Sequence, residues 1–439
     1  MRHVGRSLQL FLLGAVAGLA GCGGGVPGDP VAVGSLPPPP KGIVAEGKAP
    51  QVFTVAGDGR GGPVLAWLDR ADDGPAIKVA RYDGRREAPW GSPETYPGEV
   101  TLPQTGVELS LLPLPAGNGS LLAFHAGRRV LALHPERDWR ETLDDGTEFK
   151  HFVAASGPMG VWAVAQVAGD VPRLVKYEAD RDAPWDIQAP LPVDDLGPRP
   201  PALAVGQDSI TVAYLEFSGE SVAQTDLRIA RWDGGAWSQV AVFDDVGAVT
   251  PIVCPGGRIT AWAAIGGDGH RVEAAVDRGG SWSRRLLREA AGVVNDLQCV
   301  VDDAGRALLA WMANEQVDGE SPAYHLWTAR FDGADWQAPE RLAEPDATEA
   351  TQAQSFYIAG QPRDGQAVVV YHMLGDRGDG AIWSRRFDPA DGWGPPRQVS
   401  GCCAPAQVAM DGSGTAAVVW VDRQGPLWWA RLDAEEAAP

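Results

Sequence analysis

The side chains best able to do chemistry in this 439-residue chain are few and widely spaced. Its seven histidines are scattered, and none share a metal-ligand spacing such as His-x-x-x-His. There is no Gly-x-Ser-x-Gly elbow and no phosphate-binding loop. His125, His134, His325 and His372 fall in or beside apolar, strand-like runs, where a structural imidazole is the expected role. Asp376 and Asp379, and the stretch from Asn314 to Ser321, are acidic enough to meet Ca²⁺ but lack the regular ligand spacing of a calcium hand. Arg377-Gly378-Asp379 reads as part of a polar hairpin loop. No catalytic group, metal or cofactor is expected from these patterns.

The cysteines say more. Cys254 in "PIVCPGGRITAW" and Cys299 in "LQCVVDDAGRALLAW" occupy similar places in neighbouring units of a repeat. A disulfide between them is one reading and a pair of buried thiols the other; a bond needs Cα atoms within about 7 Å. Cys402 and Cys403 are adjacent, and either a vicinal ring or pairing elsewhere is open to them. No Cys-x-x-Cys occurs, so a redox activity has little support.

The elements that position these residues follow from composition and period. Hydrophobic residues make up 44% of the chain and there are 17 tryptophans, ample for a packed core. With 55 Gly and 36 Pro, many short strands are favoured over long helices. The formal net charge of −20 repels phosphate backbones and anionic lipid surfaces, so nucleic acid is not an expected partner.

From Pro50 onward one unit recurs. An apolar strand leads to a Gly/Asp turn and a strand ending in an aromatic, as in "GGPVLAWLD", "GGRITAWAA" and "SGTAAVVWVD". A polar loop of variable length follows, then a strand ending in Arg–aromatic–Asp, as in "KVARYDG", "RIARWDG" and "TARFDG". A fourth segment opens with Trp90, Trp139, Trp185, Trp237, Trp282, Trp336 or Trp393, at intervals of 45 to 57 residues. A period near fifty with four short strands is the signature of a β-propeller blade. The expected fold is therefore all-β: one propeller over 42–439, with eight four-stranded blades. Seven is the alternative, if the degenerate unit from Glu99 to Gly146 is an insertion. The last unit ends after three strands, and Gly42 to Ala45 is expected to supply the fourth and close the ring.

Within this scheme the recurrent Trp packs between sheets. The Asp of the phrase accepts turn N–H groups. The preceding arginines, Arg81, Arg231, Arg330, Arg386 and Arg431, are expected to pair across blades. Loops between second and third strands vary in length: Asp69 to Ala76, Glu216 to Asp226, Ala313 to Tyr324 and Leu374 to Gly380. They are the expected binding loops.

Two resemblances add an address and a relative. Arg2 and Arg6 precede an apolar stretch from Leu8 to Ala20, too short to span a bilayer, which ends in Leu19-Ala20-Gly21-Cys22. This resembles the lipobox of bacterial lipoproteins. The resemblance implies a signal peptide over 1–21 and acylation of Cys22 as the first mature residue, with several chains giving stable anchoring. It makes the chain a cell-envelope protein, in the outer rather than the inner membrane, and so compatible with oxidised cysteines. Residues 22–41 are rich in Gly and Pro, with Pro37 to Pro40 consecutive, and form a tether. In extended geometry the tether holds the body roughly 50 Å from the membrane.

The turn from Val276 to Trp282, "VDRGGSW", is similar to the Asp-box of sialidases, with Asp277, Gly279, Ser281 and Trp282 matching and Ala275 replacing the first Ser. Asp233 to Trp237 and Asp332 to Trp336 are each one residue short of that pattern. In that family the box is a folding turn, so the likeness implies fold alone. The arginine triad, Tyr nucleophile and acid/base Asp of sialidases find no counterpart in sequence, and Tyr82, Tyr177, Tyr214 and Tyr371 sit at repeat-core positions. The expected function is a non-catalytic, monomeric binding scaffold for a glycan or an envelope protein, with a sialidase-like glycoside hydrolase as the alternative.

Overall fold

In the computed structural model the residues described are 39, 41–45, 52–57, 62–71, 74–83, 90–97, 107–113, 120–126, 129–134, 139–143, 149–178, 185–217, 224–244, 246–265, 269–290, 292–315, 323–342, 352–374, 380–401, 406–422 and 425–434. Cys22, Cys402, Cys403 and Arg377 to Asp379 lie outside them, as do most residues of the variable loops.

Among the described residues the strands form eight antiparallel sheets. Blade 1 runs from its inner strand Phe53–Gly57 outward through Pro63–Ala71 and Gly74–Arg81 to Glu94–Pro97. Blades 2 to 7 repeat this order, starting from inner strands Val107–Pro113, Phe149–Gly157, Ala202–Val205, Ala248–Val253, Val294–Val301 and Gln352–Gly360. Blade 8 begins at Ala406–Met410 and continues through Ala416–Val421 to Leu427–Leu432. Its outer strand is Lys41–Ala45, from the other end of the chain. Gly42 lies opposite Trp429 there, and a Cβ on it would come within 2.8 Å of the indole nitrogen. Inner strands of consecutive blades contact one another around the whole ring, including the last against the first.

The expectation of eight four-stranded blades is corrected. Seven sheets have four strands and blade 7 has five. Its outer strand is split: Gly392–Trp393 and Arg397–Ser400 both pair with Gly380–Asp388. Between them stand Pro395 and Pro396, which have no N–H to give the ladder. Pro339 has a comparable effect in blade 6, where the outer strand shrinks to Glu340–Arg341 and Trp336 makes only an isolated bridge to Phe331.

The core is a set of slabs between sheets, each apolar cluster drawing on two neighbouring blades. The deepest places go to Trp67, Trp262, Trp311 and Trp420, which lie in second strands. A second strand is flanked by partners on both edges and covered on both faces, so its Trp is sealed from water. The Trp that opens each outer strand plays a shallower part. It packs on the aromatic of its own blade's Arg–aromatic–Asp phrase, with ring centroids 5.3 to 5.6 Å apart in Tyr82–Trp90, Tyr177–Trp185, Trp232–Trp237, Phe331–Trp336 and Phe387–Trp393. Such pairs contribute about 0.5–1.5 kcal/mol beyond the area they bury.

Polar stitches complete the ring. Gln298 of blade 6 donates to the Phe356 carbonyl (2.9 Å) and accepts from the Ile358 N–H (3.1 Å) of blade 7. Gln407 of blade 8 does the same to blade 1, donating to Phe53 O (3.0 Å) and accepting from Val55 N (3.1 Å). Each glutamine therefore satisfies backbone groups that an inner strand leaves unpaired on its axial edge. Blades 5 and 6 are joined covalently by a Cys254–Cys299 disulfide, with Cα atoms 5.4 Å apart.

Candidate functional site

Strand direction divides the propeller into two ends. Because neighbouring strands alternate, hairpins between first and second strands and turns between third and fourth strands share one end, here the turn face. The loops between second and third strands, and the start of every inner strand, share the opposite end, the loop face.

The turn acids of the turn face are explained by scaffold chemistry. Asp233 Oδ1 accepts the N–H groups of Gly235 (3.0 Å) and Ala236 (2.9 Å), and Asp332 Oδ1 those of Ala334 and Asp335 (both 2.8 Å). These backbone donors hold both carboxyls below the usual carboxylate range. Asp388 accepts from Ala390 N (2.8 Å). Asp277, the acid of "VDRGGSW", accepts from Gly280 N (2.7 Å) and pairs with Arg231 of the preceding blade (2.9 Å). It serves the turn in the same way as its counterparts in the other blades.

The loop face shows a different pattern. Inner strands of blades 3, 5, 6 and 7 each carry a register shift within their first few residues: between Phe149 and His151, Ala248 and Thr250, Asn295 and Gln298, and Ala353 and Ser355. Bulges re-aim side chains and concentrate at the rims of barrels and beside active sites. The blade 6 bulge holds Asp296 at φ 52°, the left-handed region and the one such non-glycine residue among those described. A non-glycine residue there is strained, although Asp and Asn tolerate it best.

Asp296 is exposed to solvent at its tip, with the rim of the sheet partly enclosing it. That enclosure pushes its carboxyl above the usual carboxylate range, and no basic side chain among the described residues offsets the effect. Beside it Asn295 donates to the Tyr324 hydroxyl (3.2 Å). Tyr357, on the inner strand of blade 7, feels the Asp296 charge and sits beside Gln407; burial pushes its phenol up. Together Asp296, Asn295 and Tyr324 offer a carboxylate acceptor, an amide and a phenol on the loop face of blade 6. That set suits hydrogen bonding to hydroxyl-rich ligands.

Paired charges also lie on the loop face. Lys150 pairs with Asp195, which also accepts from Gln166 Nε2 (2.9 Å) and Gly197 N (3.2 Å). The lysine and these donors pull the Asp195 carboxyl down. Arg228 Nε binds Glu216 at 2.7 Å and its Nη2 binds Asp226 at 3.1 Å. Among the described residues no group of three His, Cys, Asp or Glu is placed to hold a metal ion.

The sequence-derived candidates separate cleanly. Cys254 and Cys299 are brought together; Cys22, Cys402 and Cys403 are not among the described residues. His134, His325 and His372 are buried, as are Tyr177, Tyr214 and Tyr371. Asn295, Asp296, Gln298, Tyr324, Tyr357 and Gln407 were not singled out by sequence. The available signal was the polar run Asn295-Asp296 directly before an apolar strand.

No family model matches the chain, and no curated protein matches it. Solved structures of similar shape include the α-L-arabinanase of Penicillium chrysogenum complexed with arabinobiose, 12% identical, covering 55% of this chain and 95% of its own, with a TM-score of 0.35. The β-propeller domain of the Trilobed protease from Pyrococcus furiosus is 12% identical over 79% of this chain and 97% of its own, TM-score 0.44. Puromycin hydrolase is 17% identical over 89% of this chain, which spans 53% of that protein, TM-score 0.46. At such identities and scores they carry no argument about substrate.

Proposed function

We propose that this protein is a lipid-anchored cell-envelope lipoprotein whose propeller acts as a non-catalytic binding scaffold, taking a glycan or an envelope protein on its loop face. The observation that carries the reading is Asp296: a strained, solvent-exposed carboxylate with no basic side chain beside it among the described residues, set by a bulge on the loop face beside Asn295, which binds the Tyr324 hydroxyl. Strain of this kind concentrates at ligand clamps and active sites. The acceptor, amide and phenol favour a hydroxyl-rich glycan over a protein. The anchor rests on Leu8 to Ala20 followed by Leu19-Ala20-Gly21-Cys22, and the outer membrane is its proposed location. For the anchor, labelled palmitate is expected to enter the chain in bacteria and to be lost on Cys22→Ala; incorporation unchanged in that variant would refute acylation at this residue.

The binding test is a glycan array on the full chain, with fluorogenic glycosides alongside. Saturable glycan binding without turnover is expected, falling about tenfold or more in Asp296→Asn, since hydrogen bonds to a charged acceptor are worth about 1.5–3 kcal/mol. Asn keeps the left-handed conformation, so a loss reports on the carboxylate. The stability effect has the opposite sign. A carboxyl whose pKa is raised by folding destabilises the native state as pH climbs from the unfolded value through the folded one. Asp296→Asn is therefore expected to raise the unfolding temperature at neutral pH and leave it unchanged in strong acid. Turnover of any glycoside would overturn the non-catalytic reading in favour of a hydrolase in which the raised Asp296 carboxyl supplies the acid. Silence on both panels would shift the reading to a protein partner.

A further inference from the structure

On the turn face the arginine of the repeated phrase reaches from each of several blades into the next. Arg231 binds Asp277 and donates to Gly257 O at 3.4 Å. Arg386 donates to three carbonyls of blade 8, those of Gly414 (2.8 Å), Leu432 (3.1 Å) and Asp433 (3.3 Å). Arg431 pairs with Asp433 and bonds the Tyr82 hydroxyl of blade 1. Arg330 departs from this pattern. Its guanidinium lies over the Phe387 ring, 5.5 Å from the centroid, and makes no hydrogen bond or ion pair among the described residues.

The missing partners have been taken by others. Asp388, the acid that corresponds to Asp277, accepts instead from Gln366 Nε2 (3.2 Å) and Ala390 N. The hairpin glycine that corresponds to Gly257 and Gly414 is Gly365. Arg306 and Asp302 of blade 6 close over it: a Cβ there would meet Asp302 Oδ2 at 2.7 Å and Arg306 Nη2 at 3.1 Å. Asp302 is itself held by Arg306, Nε to Oδ2 2.6 Å, and by the N–H groups of Ala304 and Arg306. What remains in front of Arg330 is a shallow, solvent-open cleft between blades 6 and 7, with Asp302, Arg306, Gln361 and Gln366 on its polar side. Val300, Leu308, Phe387 and Pro389 give it apolar walls.

We propose that this cleft binds a short-chain aliphatic monocarboxylate, with the fork of Arg330 holding the carboxylate and the apolar walls taking the tail. A planar guanidinium braced on an aromatic ring presents two parallel N–H groups that match a carboxylate. Asp302 and Asp388 are bonded to donors of their own, and Asp332, two residues along, accepts its own turn N–H groups while its charge acts on Arg330 without contact. The site lies on the opposite end of the propeller from Asp296 and is independent of the loop-face reading.

The test is a titration of the full chain with ¹³C-labelled propionate, followed by NMR line width, with propionamide as the neutral isostere. Saturable propionate binding is expected, with no competition from propionamide and a loss of about tenfold or more in Arg330→Gln. Arg386→Gln, which breaks bonds in the neighbouring interface, is expected to bind propionate as the parent does while unfolding at lower temperature. Arg330→Gln should unfold a little below the parent, since it loses only the contact with Phe387, and above Arg386→Gln, which loses hydrogen bonds across the interface. Propionamide binding as tightly as propionate, an Arg330→Gln variant that binds unchanged, or no saturation in the parent chain would each overturn the proposal. The first and last of these need no variant.

Discussion

Trp311→Ala is expected to destabilise the protein by about 3–5 kcal/mol, the range for removing a large aromatic from a closed core. Trp311 is fully buried in the second strand of blade 6. Its cluster joins blades 5 and 6, bringing Cys254, Ile259, Ala261 and Val272 of one sheet against Leu309, Trp327 and Phe331 of the other. The slab between two rigid sheets collapses poorly, because each sheet is held in place by its other neighbour, so most of the cavity will persist. Trp311→Phe provides the contrast. The indole N–H is buried and has no hydrogen-bond partner among the described residues, so phenylalanine removes volume but no satisfied bond. A cost of about 1–2 kcal/mol is expected for it. Denaturant titration of the two variants checks the pair. Equal losses would show that the hydrogen-bonding capacity of the indole, not its bulk, matters at this place.

Loss of the Cys254–Cys299 bond should have a comparable effect. The two residues are 45 apart in sequence, and closing a loop of that length in the unfolded chain corresponds to on the order of 4 kcal/mol. The bond also lies at the edge of the Trp311 cluster, where Cys254 is fully buried. Cys254→Ala combined with Cys299→Ala keeps most of the side-chain volume, so its loss reports mainly on the cross-link. Unfolding of the parent chain with and without reductant, compared with the double variant, checks it. The reduced parent and the double variant should agree, both well below the oxidised parent. A double variant as stable as the oxidised parent would show that neighbouring packing alone holds these two blades. Because the residues contribute to one cluster, the Trp311 and cysteine effects are not expected to add.

Much of the scaffold was legible in the sequence because it repeats. A strand–turn–strand unit that returns about every fifty residues places its turn acids before any coordinate is known. Asp233, Asp277, Asp332 and Asp388 all accept backbone N–H groups as the repeated phrase implies. The inter-blade reach of Arg231, Arg386 and Arg431 was equally readable, since each copy has the same neighbour. The tryptophans were harder to rank. Sequence favoured those at the regular spacing, whereas burial went to Trp67, Trp262, Trp311 and Trp420, whose strands are interior to each sheet.

The candidate sites were not legible. Asp296 is one acid among 57 acidic residues, and nothing in its local sequence states that a bulge sets it on the loop face. Arg330 looks like every other arginine of the phrase; only the bonds of Gln366 with Asp388 and of Arg306 with Asp302 leave it facing an open cleft. The sequence by itself determined the class of fold, the period, the turn chemistry and an expected address, because these depend on local pattern and on repetition along the chain. Tertiary structure alone decided which cysteines meet, which tryptophans are sealed, that Pro395 and Pro396 split one outer strand, and that Arg330, among the described residues, makes no hydrogen bond or ion pair. Those outcomes depend on contacts between blades tens of residues apart, and in a repeat the exceptions to the pattern become visible only when neighbouring copies are packed together.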